Sequence, residues 1–169
     1  MKVILVGYMG SGKSVVASKL AELLGYQFID TDEWIEARAC KTIPDIFSED
    51  GEDVFRQKEK ECLEFLIDHD DVVLSTGGGM PCYNQAIELM VELGETIYLD
   101  ASIETLTSRL WTAKSGRPIL KNFKDKNELK VFISKHLSER ADCYQKSKYC
   151  IRVDDKSVET IAQEIKSAL

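Results

Sequence analysis

Long apolar runs and an excess of basic residues are both missing from this 169-residue sequence. The first apolar run, residues 3–6, is far shorter than the roughly 7–15 residues of a secretory signal or the roughly 18 of a membrane helix. Lys and Arg number 22 against 29 Asp and Glu, so the formal net charge is −7. An acidic balance disfavours binding to nucleic acid or to an anionic membrane surface. We therefore expect a cytoplasmic protein that binds neither nucleic acid nor membrane.

The sequence is also poor in the residue patterns that bind zinc or form disulfides. Its five cysteines are scattered without a CxxC pair, and its two histidines are His69 and His136. This pattern indicates neither a zinc site nor a disulfide framework, so reduced thiols are expected. His69 lies in a polar run and is expected to be solvated, and neither histidine is assigned a role.

Short apolar segments alternate with amphipathic ones along the chain. Continuous apolar strands separated by helices predict an α/β fold in which helices cover both faces of a parallel sheet, and the length suits one domain over residues 1–169. The expected strands are residues 3–6, 27–29, 72–74, 96–99 and 149–153. The expected helices run from residue 14 to a stop at Gly25, and over 52–67, 87–93, 103–111 and 158–169, the last capped by Ser157.

Residues 114–130 break this alternation. They are dense in Lys, Asp, Asn and Gly and contain few apolar residues, so the segment looks too polar for a core element. A long polar connection inside a compact domain is either an active-site lid or a solvated surface loop. Composition alone leaves both interpretations open.

Residues 7–14, GYMGSGKS, match the phosphate-binding pattern G-x-x-x-x-G-K-S/T between an expected strand and an expected helix. Glycines let backbone N–H groups face phosphate oxygens, and the helix N-terminus adds positive charge. Lys13 supplies a point charge to the β- and γ-phosphates, and the Ser14 hydroxyl suits Mg²⁺. The residues expected to contact a nucleotide here are Gly10, Ser11, Gly12, Lys13, Ser14 and Val15.

Two segments near the expected second strand and the long charged helix suit a phosphoryl acceptor. Asp30 and Asp32 follow the strand at the edge where parallel sheets bind ligands, although Thr31 or Asp32 could simply cap a helix. Arg56 ends the segment GEDVFR at 51–56. Its guanidinium could hold a carboxylate in a bidentate fork or form a surface salt bridge.

Three later segments contribute a glycine-rich backbone and two further arginines that could contact ligands. The run STGGG at 75–79 allows close approach of a ligand to the backbone, or makes a permissive turn. Arg117, in GRPIL at 116–120, could neutralise charge on a transferring phosphoryl group from a lid. Arg140, in ERADCY at 139–144, offers a second fork for an anionic acceptor, while either arginine alone could be a solvated charge.

In this order and combination, the segments resemble those of the shikimate kinase family. The resemblance runs from the phosphate loop almost to the C-terminus. The segments that carry the resemblance are GYMGSGKS at 7–14, DTD at 30–32, DIF at 45–47, GEDVFR at 51–56, STGGG at 75–79, GRPIL at 116–120 and ERADCY at 139–144. Ile119 replaces the commoner Leu, and Val15 follows Ser14 where the family often has Thr. Neither departure removes an expected ligand contact.

The resemblance implies a P-loop fold of the nucleoside-monophosphate-kinase type, with three αβα layers and a five-stranded parallel sheet in the order 2-3-1-4-5. It implies transfer of the γ-phosphoryl group of ATP to the 3-hydroxyl of shikimate, in aromatic amino-acid biosynthesis, with ATP as co-substrate and Mg²⁺ as cofactor. An acceptor-binding segment near residues 31–60 and a lid near 112–125 would close over the ligands of a monomer.

The resemblance also implies roles for residues on the nucleotide side. Lys13 contacts the phosphates, Ser14 holds Mg²⁺, and Asp30 supports the metal through water. Arg117 swings in with the lid as a catalytic charge. Arg152 borders the adenine, and Arg109 is a second candidate for that place.

On the acceptor side, the resemblance implies that Asp32 binds shikimate hydroxyls and helps to deprotonate the attacking one. Arg56 and Arg140 grip the shikimate carboxylate. The glycines and aromatic residues that approach or line the acceptor are Gly77, Gly78 with its backbone donor, Gly79, Phe47 and Phe55.

Two other functions remain as alternatives. A related small-molecule kinase, such as gluconate kinase, would share the phosphate loop and differ in its acceptor. A nucleotide-binding switch of the GTPase type would also share it, but the sequence has neither an Asn-Lys-x-Asp motif nor an Asp-x-x-Gly motif after a strand.

Overall fold

Five parallel strands form one sheet in the computed structural model, which describes residues 1–113, 120 and 122–169. The strand order is β2-β3-β1-β4-β5, and each neighbouring pair is parallel, which confirms the predicted fold class and order. The strands are β1 (Lys2–Val6), β2 (Gln27–Asp30), β3 (Val72–Ser75), β4 (Glu95–Asp100) and β5 (Tyr149–Arg152).

The helices expected from the sequence are all present. Gly25 ends the first helix in the left-handed region at φ 72°, and the Ser157 hydroxyl caps the last one by accepting from the amide of Thr160. The helices are α1 (Lys13–Leu24), α2 (Thr31–Ala39), α3 (Ile43–Asp45), α4 (Glu52–Ile67), α5 (Ala86–Leu93), α6 (Ile103–Thr112), α7 (Lys126–Tyr144) and α8 (Val158–Ala168), with a π-helical turn at Ile46–Asp50 and a 3₁₀ turn at Met80–Cys82.

The polar segment at 114–130 differs from its expected character at two places. Helix α7 begins at Lys126, because the Asp125 carboxylate caps it by accepting from the amide of Glu128 at 2.9 Å. Leu120 is completely buried in the main core, so the segment does contribute an apolar anchor. Residues 114–119 and 121, and with them Arg117 and much of the expected lid, lie outside the described residues.

His69 also departs from expectation, because it is half-buried rather than solvated. Its ring stacks on Phe65 with centroids 3.7 Å apart, and its Nδ1 lies 2.7 Å from the Phe65 carbonyl oxygen. Because the residues on either side of His69 are polar, the sequence pattern gives no sign of this contact with the preceding helical turn.

Two apolar clusters support the fold. The main core surrounds the sheet, and residues 3–6 of the central strand β1 are wholly buried in it. A second, small cluster joins Ile35, Ile46 and Phe55 within the segment expected to bind the acceptor. No helix of the described residues is long and apolar enough to cross a membrane.

Candidate active site

The carboxyl ends of three neighbouring strands bring the candidate site residues together. In the parallel register, Leu5 of β1 and Asp30 of β2 both pair with Ser75 of β3. The loops that follow these residues therefore emerge side by side at one edge of the sheet. This edge is where open parallel sheets bind ligands.

The phosphate loop follows β1 and depends on its glycines. Gly10 and Gly12 have φ angles of 82° and 98°, in the left-handed region that disfavours residues with a side chain. A Cβ on Gly7 would lie 2.9 Å from the Leu99 carbonyl oxygen. Glycine therefore satisfies both the backbone conformation and the close packing that the loop requires.

Lys13 holds its charge over this loop. Its Nζ donates to the carbonyl oxygens of Gly7, at 2.9 Å, and Tyr8, at 3.1 Å. The side chain is largely buried, and Lys13 is the first residue of α1. An ammonium and a helix N-terminus thus converge on one loop, which is the arrangement that binds phosphate groups.

Ser14 and Asp30 form an oxygen cluster at the mouth of the loop. The Ser14 hydroxyl donates to Asp30 Oδ2 at 2.7 Å and lies 3.2 Å from the Ser75 hydroxyl. No group of three or more His, Cys, Asp and Glu side chains suited to a metal occurs in the described part of the chain. A site with one carboxylate and hydroxyl oxygens nevertheless fits Mg²⁺, which takes most of its ligands from water and phosphates.

Asp30 also fixes the start of α2. Its Oδ1 accepts from the amide of Asp32 at 3.0 Å, so the capping residue is Asp30 rather than Thr31 or Asp32. The Thr31 hydroxyl is buried and donates to the Ser75 carbonyl oxygen at 3.0 Å. These bonds position Asp32 at the strand end with its side chain exposed.

The glycine triplet after β3 lies between acidic and basic side chains. A Cβ on Gly77 would lie 3.2 Å from Glu59 Oε1 and 3.3 Å from Asp32 Oδ1. A Cβ on Gly79 would lie 3.4 Å from Nη2 of Arg56 and 3.5 Å from Nη2 of Arg140. Gly77 therefore lies beside two carboxylates, and Gly79 lies beside two guanidiniums. The triplet thus brings Asp32, Arg56 and Arg140, which were predicted to bind the acceptor, close to one another.

Gly78, between them, faces the phosphate loop. A Cβ at this position would lie 3.2 Å from the Met9 backbone nitrogen. Its carbonyl oxygen accepts from the hydroxyl of the fully buried Tyr144 at 2.6 Å. Tyr144 thereby fixes the triplet to α7, the helix that carries Arg140.

Arg56 is held by side chains that sequence reasoning missed. Its Nη1 donates to Glu59 at 2.7 Å and its Nη2 to Glu52 at 3.0 Å, while its Cζ lies 3.6 Å from the centre of the Tyr83 ring. Burial raises the pKa of Glu59, and the charge of Arg56 only partly offsets this. The available signal was spacing, since residues three and four apart on a helix are neighbours.

The two aromatic residues predicted to line the acceptor pocket have different surroundings. Their rings lie 4.6 Å apart, with Phe47 on the exposed π-helical turn and Phe55 buried in the small second cluster. Phe47 is therefore partly accessible to a ligand, while Phe55 is buried and packs against it.

A cleft of about 440 Å³ runs from the phosphate loop toward α8. Arg109 lines it and donates to the carbonyl oxygens of Gly10 and Ser11, each at 3.2 Å. Lys156, which sequence reasoning missed, lines it as well. Among the described residues that line the cleft, Arg152 is absent, and its guanidinium pairs with Asp100 and Asp154.

Comparison with known proteins gives matches over nearly the whole chain. A family model described as shikimate kinase matches residues 9–169. The shikimate kinase of Parabacteroides distasonis is 40% identical over 99% of this chain and 96% of its own length. That of Bacteroides fragilis is 42% identical over 100% of this chain and 96% of its own.

Solved structures match in the same way. The crystal structure of shikimate kinase from Bacteroides thetaiotaomicron has a TM-score of 0.91 and 36% identity, covering 99% of this chain and 97% of that one. Shikimate kinase from Acinetobacter baumannii, in complex with shikimate, has a TM-score of 0.86 and 33% identity, with 99% and 91% coverage. A gluconokinase from Sinorhizobium meliloti, at 16% identity and a TM-score of 0.54, shares the fold alone. The chain belongs to the shikimate kinase family.

Proposed function

We propose that this chain transfers the γ-phosphoryl group of ATP to the 3-hydroxyl of shikimate at the edge of the sheet that carries the phosphate loop and the glycine triplet. The observation that carries the proposal is the triplet itself, with Asp32 and Glu59 at one end, Arg56 and Arg140 at the other, and the phosphate loop against Gly78. Shikimate has one carboxylate and three hydroxyls, so its charge pattern matches this surface.

On the acceptor side, two guanidiniums converge where the carboxylate of shikimate would bind. Arg56 and Arg140 approach Gly79 from two different helices, which allows them to contact one carboxylate from two directions. Asp32 would accept a hydrogen bond from an acceptor hydroxyl and receive its proton as the bond to phosphorus forms. The amide of Gly78 would donate to the acceptor between these two contacts.

On the nucleotide side, Lys13 and the amides of residues 10–15 would bind the phosphates. Ser14 and, through water, Asp30 would hold Mg²⁺, which supplies positive charge to phosphate oxygens when bound. Arg109 and Lys156 line the cleft beside the phosphate loop, which supports a place for them at the adenine, and Arg152 on β5 is proposed to border it as well. Arg117 is proposed to add a catalytic charge from the lid at about 112–125.

The small second cluster supports the proposal that residues 31–60 form an acceptor-binding segment within one kinase domain at 1–169. Ile35, Ile46 and Phe55 pack on one another rather than on the main core. This separate packing supports treating the segment as a unit with a task of its own. We further propose a cytoplasmic monomer that takes ATP and shikimate as its partners.

An acceptor and nucleotide panel tests the reaction. With ATP and Mg²⁺, ADP release is expected to require shikimate and to stay at background with gluconate. GTP binding without any dependence on an acceptor would favour a switch instead. Folded protein that releases no ADP with shikimate would overturn the proposal.

A lid variant tests the part of the site that lies outside the described residues. Arg117→Ala is expected to lower kcat strongly while the affinity for ATP changes little, because its charge would act on the transferring group. Wild-type kcat in this variant would remove Arg117 from the catalytic set.

A further inference from the structure

Tyr83, the residue directly after the 3₁₀ turn, covers one face of the Arg56 guanidinium. The Cζ of Arg56 lies over its ring, 3.6 Å from the centre, well inside the roughly 6 Å over which a cation and an aromatic face attract each other. Arginine is suited to this contact because its guanidinium is planar and stacks on aromatic faces. The ring therefore holds Arg56 from a direction that its hydrogen bonds do not, since those bonds lie in the plane of the guanidinium.

The hydrogen bonds of Arg56 leave part of its donor capacity for a ligand. A guanidinium has five N–H groups. Glu52 Oε1 accepts from Nε at 3.2 Å and from Nη2 at 3.0 Å, and Glu59 Oε2 accepts from Nη1 at 2.7 Å. Within the described residues these bonds use three of the five groups, so one on Nη1 and one on Nη2 remain. Two such groups are what bidentate binding of a carboxylate requires, provided that the guanidinium plane is correctly oriented.

The backbone that presents Tyr83 adopts an unfavourable conformation. Asn84 and Gln85 have φ angles of 49° and 57°, in the left-handed region that residues with a side chain usually enter singly. The amide of Ala86 donates to the Tyr83 carbonyl oxygen at 2.9 Å and closes the bend where α5 begins. Strained backbone persists only where the surrounding structure holds it, and it is common at ligand clamps. The bend is thus a second, independent sign that the position of Tyr83 matters.

Arg56 also borders a cavity that is distinct from the cleft at the phosphate loop. The cavity has a volume of about 420 Å³, and its lining includes Arg56, Tyr83, Leu63, Met80 and Leu89. The lining residues described for the cavity and for the cleft do not overlap. A long side chain beside open space has several rotamers available to it, and restricting it to one costs conformational entropy. Stacking on the Tyr83 ring offsets part of that cost.

We propose that Tyr83 is a positioning residue for the acceptor, whose ring keeps the two remaining N–H groups of Arg56 directed at Gly79. The inference rests on the proposed function, in which the carboxylate of shikimate binds there. A Cβ on Gly79 would lie 3.5 Å from Nη1 and 3.4 Å from Nη2 of Arg56, so both nitrogens that keep a donor approach this residue. Tyr83 acts through Arg56 and not on the reacting atoms. Loss of the ring should therefore weaken acceptor binding and spare the chemical step.

Kinetics on ring variants tests this role. In Tyr83→Leu, the KM for shikimate is expected to rise roughly three- to tenfold, as for the loss of one cation–π contact, while kcat and the KM for ATP change by less than about twofold. Tyr83→Phe keeps the ring and should restore the wild-type KM. Tyr26→Leu, a half-buried tyrosine just before the amino end of β2, is the matched control and should behave as wild type. A wild-type KM in Tyr83→Leu, or an equal rise in Tyr83→Phe, would overturn the role of the ring.

The carboxamide of shikimate separates an effect through Arg56 from a general loss of structure. The quantity compared is kcat/KM, which can be measured without saturation. Tyr83→Leu should lower it several-fold for shikimate and much less for the carboxamide, which has no carboxylate for the guanidinium to bind. The same factor for both acceptors would show that Tyr83 does not act through Arg56.

The wild-type protein distinguishes the two levels of the argument. If it does not phosphorylate shikimate, the proposed function fails and the role of Tyr83 fails with it. If wild type is active and Tyr83→Leu matches it, only the role of Tyr83 is refuted. Should Tyr83→Leu not fold, as judged by circular dichroism, Tyr83→Met removes the ring with a longer side chain and is measured in its place.

Discussion

The hydroxyl of Tyr8 in the phosphate loop lies 2.9 Å from Nδ1 of His136 on α7. Their rings meet edge to face with centroids 5.5 Å apart. Phe132 continues the contact at 5.1 Å from His136, and Phe123 lies 5.0 Å beyond it. A row of rings thus joins the phosphate loop to Phe123, near the end of the expected lid at about 112–125, along the helix that carries Arg140.

Removing the Tyr8 hydroxyl tests this connection. Tyr8→Phe keeps the ring but loses the hydrogen bond, so the free energy of unfolding is expected to fall by about 1 kcal/mol. Denaturant unfolding measures this, with Tyr149→Phe on the edge strand β5 as the control. Equal stability of Tyr8→Phe and wild type would mean that the hydrogen bond contributes nothing.

The pH dependence of stability should report on His136. Burial lowers its pKa below the usual value, and Arg140 lowers it further, while Glu139 opposes this. The unfolded chain therefore binds the proton more readily, so this contribution is complete above about pH 6.5 and is lost as the pH falls toward the folded-state pKa.

Unfolding at about pH 7.5 and about pH 5.5 checks this sign. Wild type is expected to lose more stability between the two values than His136→Phe, which keeps a ring against Tyr8 and Phe132. If both proteins lose the same amount, the pH dependence belongs to other groups.

Glu59 should act on the acceptor through Arg56. Glu59→Gln keeps the shape of the buried side chain but removes the charge that holds the guanidinium, so the KM for shikimate is expected to rise several-fold while the KM for ATP stays constant. Glu61→Gln, an exposed neighbour on α4, is the matched control. The same KM for shikimate in both variants would show that Arg56 does not need this anchor.

Asp32 should affect the chemical step. Asp32→Asn keeps a hydrogen-bonding side chain but cannot take the proton, so kcat is expected to fall by about 10²- to 10⁴-fold. ATP binding, measured by calorimetry, should be unchanged. Glu33→Gln, exposed one residue further along α2, is expected to keep wild-type kcat. A near-normal kcat for Asp32→Asn would remove the aspartate from proton transfer.

The sequence predicted the strands and the phosphate loop well because both depend on local patterns. Apolar runs mark the buried strands, and GYMGSGKS carries the glycine conformations of its own loop. Helix α7 was harder to delimit, because among its 19 residues only Leu129, Ile133 and Tyr144 are fully buried. Its first turn is polar, so the sequence pattern does not separate it from the polar segment that precedes the helix.

Contacts between distant segments could not be predicted from local patterns. The pairing of Arg152 with Asp100 depends on the register of β4 and β5, since these two residues are register partners. Likewise, the hydrogen bond from Tyr144 to the Gly78 carbonyl oxygen joins α7 to the loop after β3, across 66 positions of the chain. Neither contact can be inferred from the spacing of these residues along the chain.

The fit of Gly78 against Met9 has a consequence for the energetics of the two substrates. A Cβ on Gly78 would lie only 3.2 Å from the Met9 backbone nitrogen, so a shift of either loop toward the other would affect both. Binding free energies at two coupled sites are reciprocal. If bound shikimate changes the affinity for ATP by some factor, bound ATP must therefore change the affinity for shikimate by the same factor. A methyl group at position 78 would alter this factor for both ligands.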